Sequence, residues 1–204
     1  ELKRVWDPQG ILNPGKIVDA PPMDEDLRYE VGQETRTFDT VLDFSRQGGI
    51  LRAAEKCNGS GDCRKLHSAG GVMCPSYHAT RDEKDTTRAR ANALREFLTR
   101  SDRSNPFSHE ELREVMDLCI SCKGCTGECP SDVDMAGLKA EFLHQYYKDK
   151  PRPLRDRFFA ESARLNALAA RVPALSNAFL QNGLTGGWVK KMLGVAPRRS
   201  LPQV

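Results

Sequence analysis

The residues that could do chemistry are the cysteines. The run Cys119-Ile-Ser-Cys122-Lys-Gly-Cys125-Thr-Gly-Glu-Cys129-Pro130 has the spacing C-x2-C-x2-C-x3-C-P, whose short spacers let three thiolates close on adjacent irons of one [4Fe–4S] cube. The longer spacer and the proline turn the fourth cysteine away, and in two-cluster proteins that cysteine serves the other cluster. A second group must then supply a reciprocal ligand. Upstream, Cys57-Asn-Gly-Ser60-Gly-Asp-Cys63 repeats the rhythm with serine in the middle slot, and Cys74-Pro75 follows after a longer insertion. Reciprocity assigns Cys74 to the centre of Cys119, Cys122 and Cys125, leaving Cys57, Cys63 and Cys129 for a second. Three thiolates can hold a [3Fe–4S] cluster, or a [4Fe–4S] cluster whose fourth ligand is Ser60, a histidine such as His67, or solvent. The sequence leaves these open. Gly59, Gly61, Gly124 and Gly127 are expected where backbone approaches cluster sulfurs and aims N–H groups at them. Helices beginning after each Cys-Pro would point positive dipole ends at an anionic cluster.

Blander readings compete. Seven cysteines is an odd number, clustered and without a secretory signal, which fits metal binding better than a disulfide framework. Zinc prefers paired C-x2-C knuckles separated by a longer loop over one tight run ending in Cys-Pro. Cys57 and Cys63 could be ordinary buried thiols. His67, His78, His109 and His144 read as surface or packing histidines, and Arg81 to Asp85 as a solvated helix start.

The elements that must position these cysteines read as helices. Asp85 to Arg100 is rich in helix formers, with Ala91, Leu94 and Leu98 close to helical spacing. Ser108 and Glu111 form a capping box for a second helix, ending near Leu118. A third starts near Asp134 and presents Leu138, Phe142 and Tyr146 on one face, a pattern of core packing. Pro153 suits the first turn of a fourth helix running to Ala170, and Pro173 opens a shorter one. Asp7 to Lys16 is dense in turn formers, with a tight turn at Pro14-Gly15. Residues 20–35 read as a polar linker, and Thr37 to Phe44 as a short strand or an extended crossing segment. The expected fold class is mainly α, with metal loops between helices.

The chain has 204 residues, 39% of them hydrophobic, enough for one ordinary domain or two small ones. Its 31 basic and 28 acidic residues leave a net charge of +3, a weak field that gives a nucleic-acid partner no support. No run is apolar enough for a bilayer span, and Glu-Leu-Lys-Arg is no signal peptide, so a cytoplasmic location is expected. Trp188 to Val195, with Arg198 and Arg199, suits peripheral contact with an acidic inner-membrane surface or, better, a docking helix of a longer protein. The helical surfaces after residue 150 also allow a homo-oligomer.

Two stretches resemble known families. Cys57 to Cys63, Met73-Cys74-Pro-Ser-Tyr-His-Ala-Thr-Arg-Asp-Glu83, Thr87-Arg-Ala-Arg-Ala-Asn92 and Cys119 to Ala140 resemble the alpha-helical ferredoxin module of bacterial FAD-linked, iron–sulfur D-2-hydroxyacid dehydrogenases, the D-2-hydroxyglutarate or D-lactate dehydrogenase-like proteins. Asp7-Pro-Gln-Gly-Ile-Leu-Asn-Pro-Gly-Lys-Ile17 resembles the closing motif of an FAD-linked oxidase domain. The resemblance implies a fragment divided as an oxidase tail (1–19), a linker or crossing segment (20–44), the two-cluster module (45–150) and a helical extension (151–204) toward a cysteine-rich domain. It implies FAD in an upstream domain, oxidation of a D-2-hydroxyacid there, and single electrons passed through the clusters to a quinone or carrier protein. No catalytic base is expected in these residues. Stand-alone iron–sulfur subunits of glycolate oxidase or glycerol-3-phosphate dehydrogenase complexes are the alternative, and a zinc-stabilised interaction module a more distant one.

Overall fold

The structure, a computed structural model, describes residues 1–25, 27 and 29–204. Asp26 and Arg28 of the expected linker lie outside the described residues. Two compact units are present, Glu1–Arg36 and Thr37–Val204.

Among the described residues the first unit holds one short helix, α1 (Leu2–Trp6). Its organising group is the Asp7 carboxylate, which accepts from the backbone N–H groups of Ile11 and Leu12, both at 2.9 Å, and from the Lys3 ammonium. These bonds hold the carboxyl below the ordinary aspartate range, the Lys3 bond most of all. The turn at Pro14-Gly15 is present, with Gly15 at a φ of +67°.

In the second unit ten helices follow: α2 (Ile50–Glu55), α3 (Pro75–Thr80), α4 (Thr87–Arg100), α5 (Glu110–Asp117), α6 (Gly124–Glu128), α7 (Met135–Tyr146), α8 (Leu154–Ala160), α9 (Ser162–Ala169), α10 (Pro173–Gln181) and α11 (Gly183–Leu193). The core forms where α4 packs on α2, α5 and α7. Ala91, Leu94 and Leu98 of α4, Leu112 and Met116 of α5, and Leu138, Phe142 and Tyr146 of α7 are all buried, so the apolar stripes meet as their spacing predicts.

The helix ends differ from expectation in physically simple ways. Helix α4 starts at Thr87 because Thr86 takes the N-cap, its hydroxyl accepting from Ala89 N–H at 3.0 Å. The capping box at Ser108 does not form: Ser108 Oγ donates to the Asn105 carbonyl at 2.8 Å and His109 occupies the N-cap. The single helix expected from Pro153 to Ala170 is two, divided at Glu161, and Pro153 precedes the first turn.

The stretch 37–44 is no strand, and no strand occurs among the described residues. The N–H groups of Val41 and Leu42 are instead taken by the buried Glu141 carboxylate of α7, at 3.1 and 3.0 Å. Gln145 of α7 donates to the Asp39 carbonyl at 2.7 Å. A crossing segment satisfied by side chains needs no partner strand.

Candidate metal centre

The seven cysteines are all free thiols, and the structure sorts them into two cavities. One, of about 330 Å³ with its open mouth, is lined by Cys74, Cys119, Cys122 and Cys125. The other, of about 240 Å³, is lined by Cys57, Cys63 and Cys129. Cys129 therefore leaves its sequence neighbours for the second cavity, and Cys74 joins the first. Thr87, the first residue of α4, lines both.

Local backbone geometry explains the sorting. Cys74 sits at a φ of +57° immediately before Pro75, which occupies the first turn of α3. Ser121 and Lys123, at φ of +53° and +60°, turn the loop between Cys119 and Cys125. Positive φ in a non-glycine residue costs about 1 kcal/mol or more and persists where surrounding structure demands it. In the Cys57–Cys63 loop the same conformation falls to Gly59 and Gly61, at +79° and +83°, where it is nearly free. Gly124 and Gly127 lie in helix α6 instead. A Cβ at Gly124 would meet Val72 at 3.3 Å, so that glycine serves close packing. The Glu128 carboxylate accepts from Val72 and Met73 N–H at 2.7 and 3.0 Å, tying the strap before Cys74 to the helix that carries Cys125.

The sulfurs lie at helix starts. Thr87 N–H donates to Cys74 Sγ at 3.0 Å, and Thr87 Oγ1 lies 3.0 Å from the same sulfur. Burial pushes the Cys74, Cys63 and Cys125 thiols up, and each is opposed by backbone N–H groups: Thr87 for Cys74, Arg88 for Cys63, Met135 and Ala136 for Cys125. The first turn of α4 thus serves one sulfur in each cavity, and the first turn of α7 serves the first. Of the two expected post-Cys-Pro helices, only α3 follows at once; Cys129-Pro130 leads into a turn, and α7 begins later, capped by Asp134 through Gly137 N–H at 3.0 Å.

Sequence reasoning missed two cations here. Lys139 of α7 donates to the carbonyls of Met116 and Asp117, at 2.8 and 3.2 Å, and of Cys119, closing the end of α5 where the chain enters the cysteine loop; burial pushes its pKa down. Arg90, one helical turn into α4, is 1% exposed and lines the four-cysteine cavity. The alternation Thr87-Arg-Ala-Arg contained the signal, since helical spacing puts position 90 on the face of position 87. Of the non-cysteine ligands considered, Ser60 lines the three-cysteine cavity and His67 does not. His109 is a packing residue, its ring centroid 4.4 Å from that of Phe97 and its Nε2 2.7 Å from Ser101 Oγ.

This donor set fits iron–sulfur clusters. Thiols ring each space, no carboxylate lines the first, and N–H groups point at the sulfurs, the environment that stabilises thiolate and sulfide. Among the described residues no three Cys, His, Asp or Glu side chains converge closely enough for a single metal ion; the thiols surround a volume rather than a point. Residues 56–134 match the 4Fe–4S dicluster domain family. This segment is similar to 4Fe–4S dicluster domains.

The chain is 29% identical, over 242 residues, to the D-2-hydroxyglutarate dehydrogenase of Escherichia coli (strain K12), covering 100% of this chain and 23% of that protein. It is also 29% identical to the D-2-hydroxyglutarate dehydrogenase of Pseudomonas putida, over 94% of this chain and 22% of that protein. With the glycolate oxidase iron-sulfur subunit of Escherichia coli it shares 27% identity, over 79% of this chain and 34% of that protein. The chain spans less than a quarter of the length of the dehydrogenases it matches. No solved structure matches. The resemblance to the iron–sulfur part of D-2-hydroxyglutarate dehydrogenase-like proteins holds, as does the mainly helical fold class. The family match supports iron–sulfur clusters as cofactors. Among the described residues, no helix is long and apolar enough to cross a membrane.

Proposed function

We propose that this chain is the electron-transfer segment of a flavin-dependent dehydrogenase acting on a D-2-hydroxyacid such as D-2-hydroxyglutarate or D-lactate. The observation that carries the reading is the division of seven cysteines into a four-thiol and a three-thiol cavity that meet at Thr87. Cys74, Cys119, Cys122 and Cys125 would hold a [4Fe–4S] cluster. Cys57, Cys63 and Cys129 would hold the second, either [3Fe–4S] or [4Fe–4S] with Ser60, another lining oxygen or solvent as fourth ligand. When bound, such clusters take up and release one electron at a time, which splits the pair delivered by a reduced flavin.

The residues of the chain set the conditions for that traffic. Thr87 N–H and Oγ1 stabilise the Cys74 thiolate, Met135 and Ala136 N–H groups that of Cys125, and Arg88 N–H that of Cys63. Lys139 and Glu128 fix the loops from which these cysteines project. The FAD-linked oxidase domain, the cysteine-rich domain and a quinone or carrier-protein acceptor are the partners this reading requires, and residues 1–19, 20–44, 45–150 and 151–204 are its division of the chain. The reading places the protein in the cytoplasm, with its helical extension available for docking, self-association or peripheral membrane contact. No residue here is given a role in holding the flavin or in abstracting a proton.

Anaerobic addition of D-2-hydroxyglutarate or D-lactate to the full-length protein is expected to generate electron paramagnetic resonance signals of reduced clusters. Flavin bleaching with unchanged cluster spectra would contradict the reading. The same spectroscopy on oxidised protein decides the second centre, since [3Fe–4S] is paramagnetic when oxidised and the ordinary low-potential [4Fe–4S] is silent. The match to a glycolate oxidase iron-sulfur subunit favours one further reading, a separate subunit serving a flavoprotein partner. The mass of the intact polypeptide separates the two.

A further inference from the structure

Arg90 is a buried cation with unused hydrogen-bonding capacity. Its Nε donates to the Val115 carbonyl at 3.0 Å, and its Nη1 to Ser76 Oγ at 3.1 Å and to the Asp85 carbonyl at 2.7 Å. Nη2 lies 3.5 Å from Asp85 Oδ1 and, although buried, makes no hydrogen bond among the described residues. Asp85 is equally buried and its other oxygen accepts from Thr80 Oγ1 at 2.7 Å. Arg90 lines the four-cysteine cavity and Asp85 does not. The pair therefore presents its positive end to four thiols and its negative end to α3. Leaving a guanidinium N–H unpaired in the interior is costly, and an anionic group in the cavity removes that cost.

We infer that Arg90, held by Asp85, is the residue that sets the reduction potential of the first cluster, donating from Nη2 to sulfur of the group bound by Cys74, Cys119, Cys122 and Cys125. This rests on the cluster assignment proposed above. Reduction adds one electron to an already anionic site, so a fixed positive end in a medium of low polarity favours the reduced form. The three-cysteine cavity is lined by Arg88 and not by Arg90. Arg90 therefore acts chiefly on the first centre. A purely structural Arg90, tying α4 to Val115 and Ser76, would affect loading of both centres or neither potential.

The test is potentiometric titration of the full-length protein, following each cluster by electron paramagnetic resonance, with iron and sulfide measured in parallel. The variants are Asp85→Asn/Arg90→Met, which leaves no unpaired buried charge, and Arg90→Lys, which keeps the charge but loses the planar fork. The double variant is expected to weaken reduction of the first centre at least tenfold, about 59 mV for a one-electron couple, with the second centre unmoved. Arg90→Lys should fall between it and the wild type, and carries the test alone if the double variant does not load. A first-centre potential equal to wild type in a fully loaded variant overturns the inference, as do equal shifts in both centres. Wild-type protein without iron and sulfide instead overturns the cluster assignment itself.

Discussion

At the scale of the residue, each cysteine is defined by what its sulfur faces. Cys122 is the most exposed of the four in its cavity, so Cys122→Ser is expected to remove visible absorption and iron of the first centre while sparing the second. Iron content and spectrum equal to wild type would remove Cys122 from the ligand set. Away from the cavities, Glu110 offers a test of electrostatics. Its carboxylate accepts from Tyr146 OH and lies 3.2 Å from Lys150 Nζ, and these partners hold it below the ordinary glutamate range. A carboxyl lowered on folding contributes stability that is present above its unfolded-state value and lost as pH falls through its folded value. Thermal unfolding should therefore show wild type losing more stability than Glu110→Gln as the carboxylate range is crossed downward. Parallel pH profiles would refute the contribution.

At the scale of the element, the helices are positioned by side chains that sequence pattern does not announce. Glu141 is 1% exposed and accepts from Val41 and Leu42 N–H and from Gln145 at 2.7 Å. Glu141→Ala strands three donors and should cost about 3 kcal/mol, read by chemical denaturation of loaded protein; a loss below about 1 kcal/mol would mean that water replaces the carboxylate. The same residue shows why 37–44 was ambiguous from sequence. Alternating apolar residues there fit a strand as well as a strap, and the group that decides lies a hundred residues away. Periodic stripes such as Ala91, Leu94 and Leu98 were legible because a helix writes its burial into local spacing. The capping box at Ser108 misled because Asn105 offered its carbonyl to the same hydroxyl. Cysteine spacing was legible for the same local reason as the stripes. Arg90, Glu128 and Lys139 were not, because their partners come from other elements.

At the scale of the whole molecule, the centre and the core are one construction. Cys63, Cys74 and Cys125 belong to the same buried cluster as Leu94, Leu112 and Phe142. Loops that carry the cysteines include several residues at positive φ, whose strain bound clusters would offset. Removing iron by oxidation and chelation should therefore lower the melting temperature of the helices from Ile50 to Tyr146 and loosen their near-ultraviolet dichroism. An unchanged transition would show that the helices stand without the clusters. The extension after residue 150 should respond least, since α8, α9 and α10 bury no residue. Only in α11 does packing tighten, where Gly186 approaches the Leu180 carbonyl so closely that an added Cβ would lie 2.2 Å from it.

The central claim is that these cysteines hold two iron–sulfur clusters, and metal and sulfide analysis of anaerobically purified protein tests it most directly. Iron and acid-labile sulfide in near-equal amounts, enough for two clusters per chain, with one cluster's worth of both lost when either cysteine group is replaced by serine, is the predicted result. Zinc without sulfide, or iron sufficient for one cluster and insensitive to replacement of Cys57 and Cys63, would contradict it.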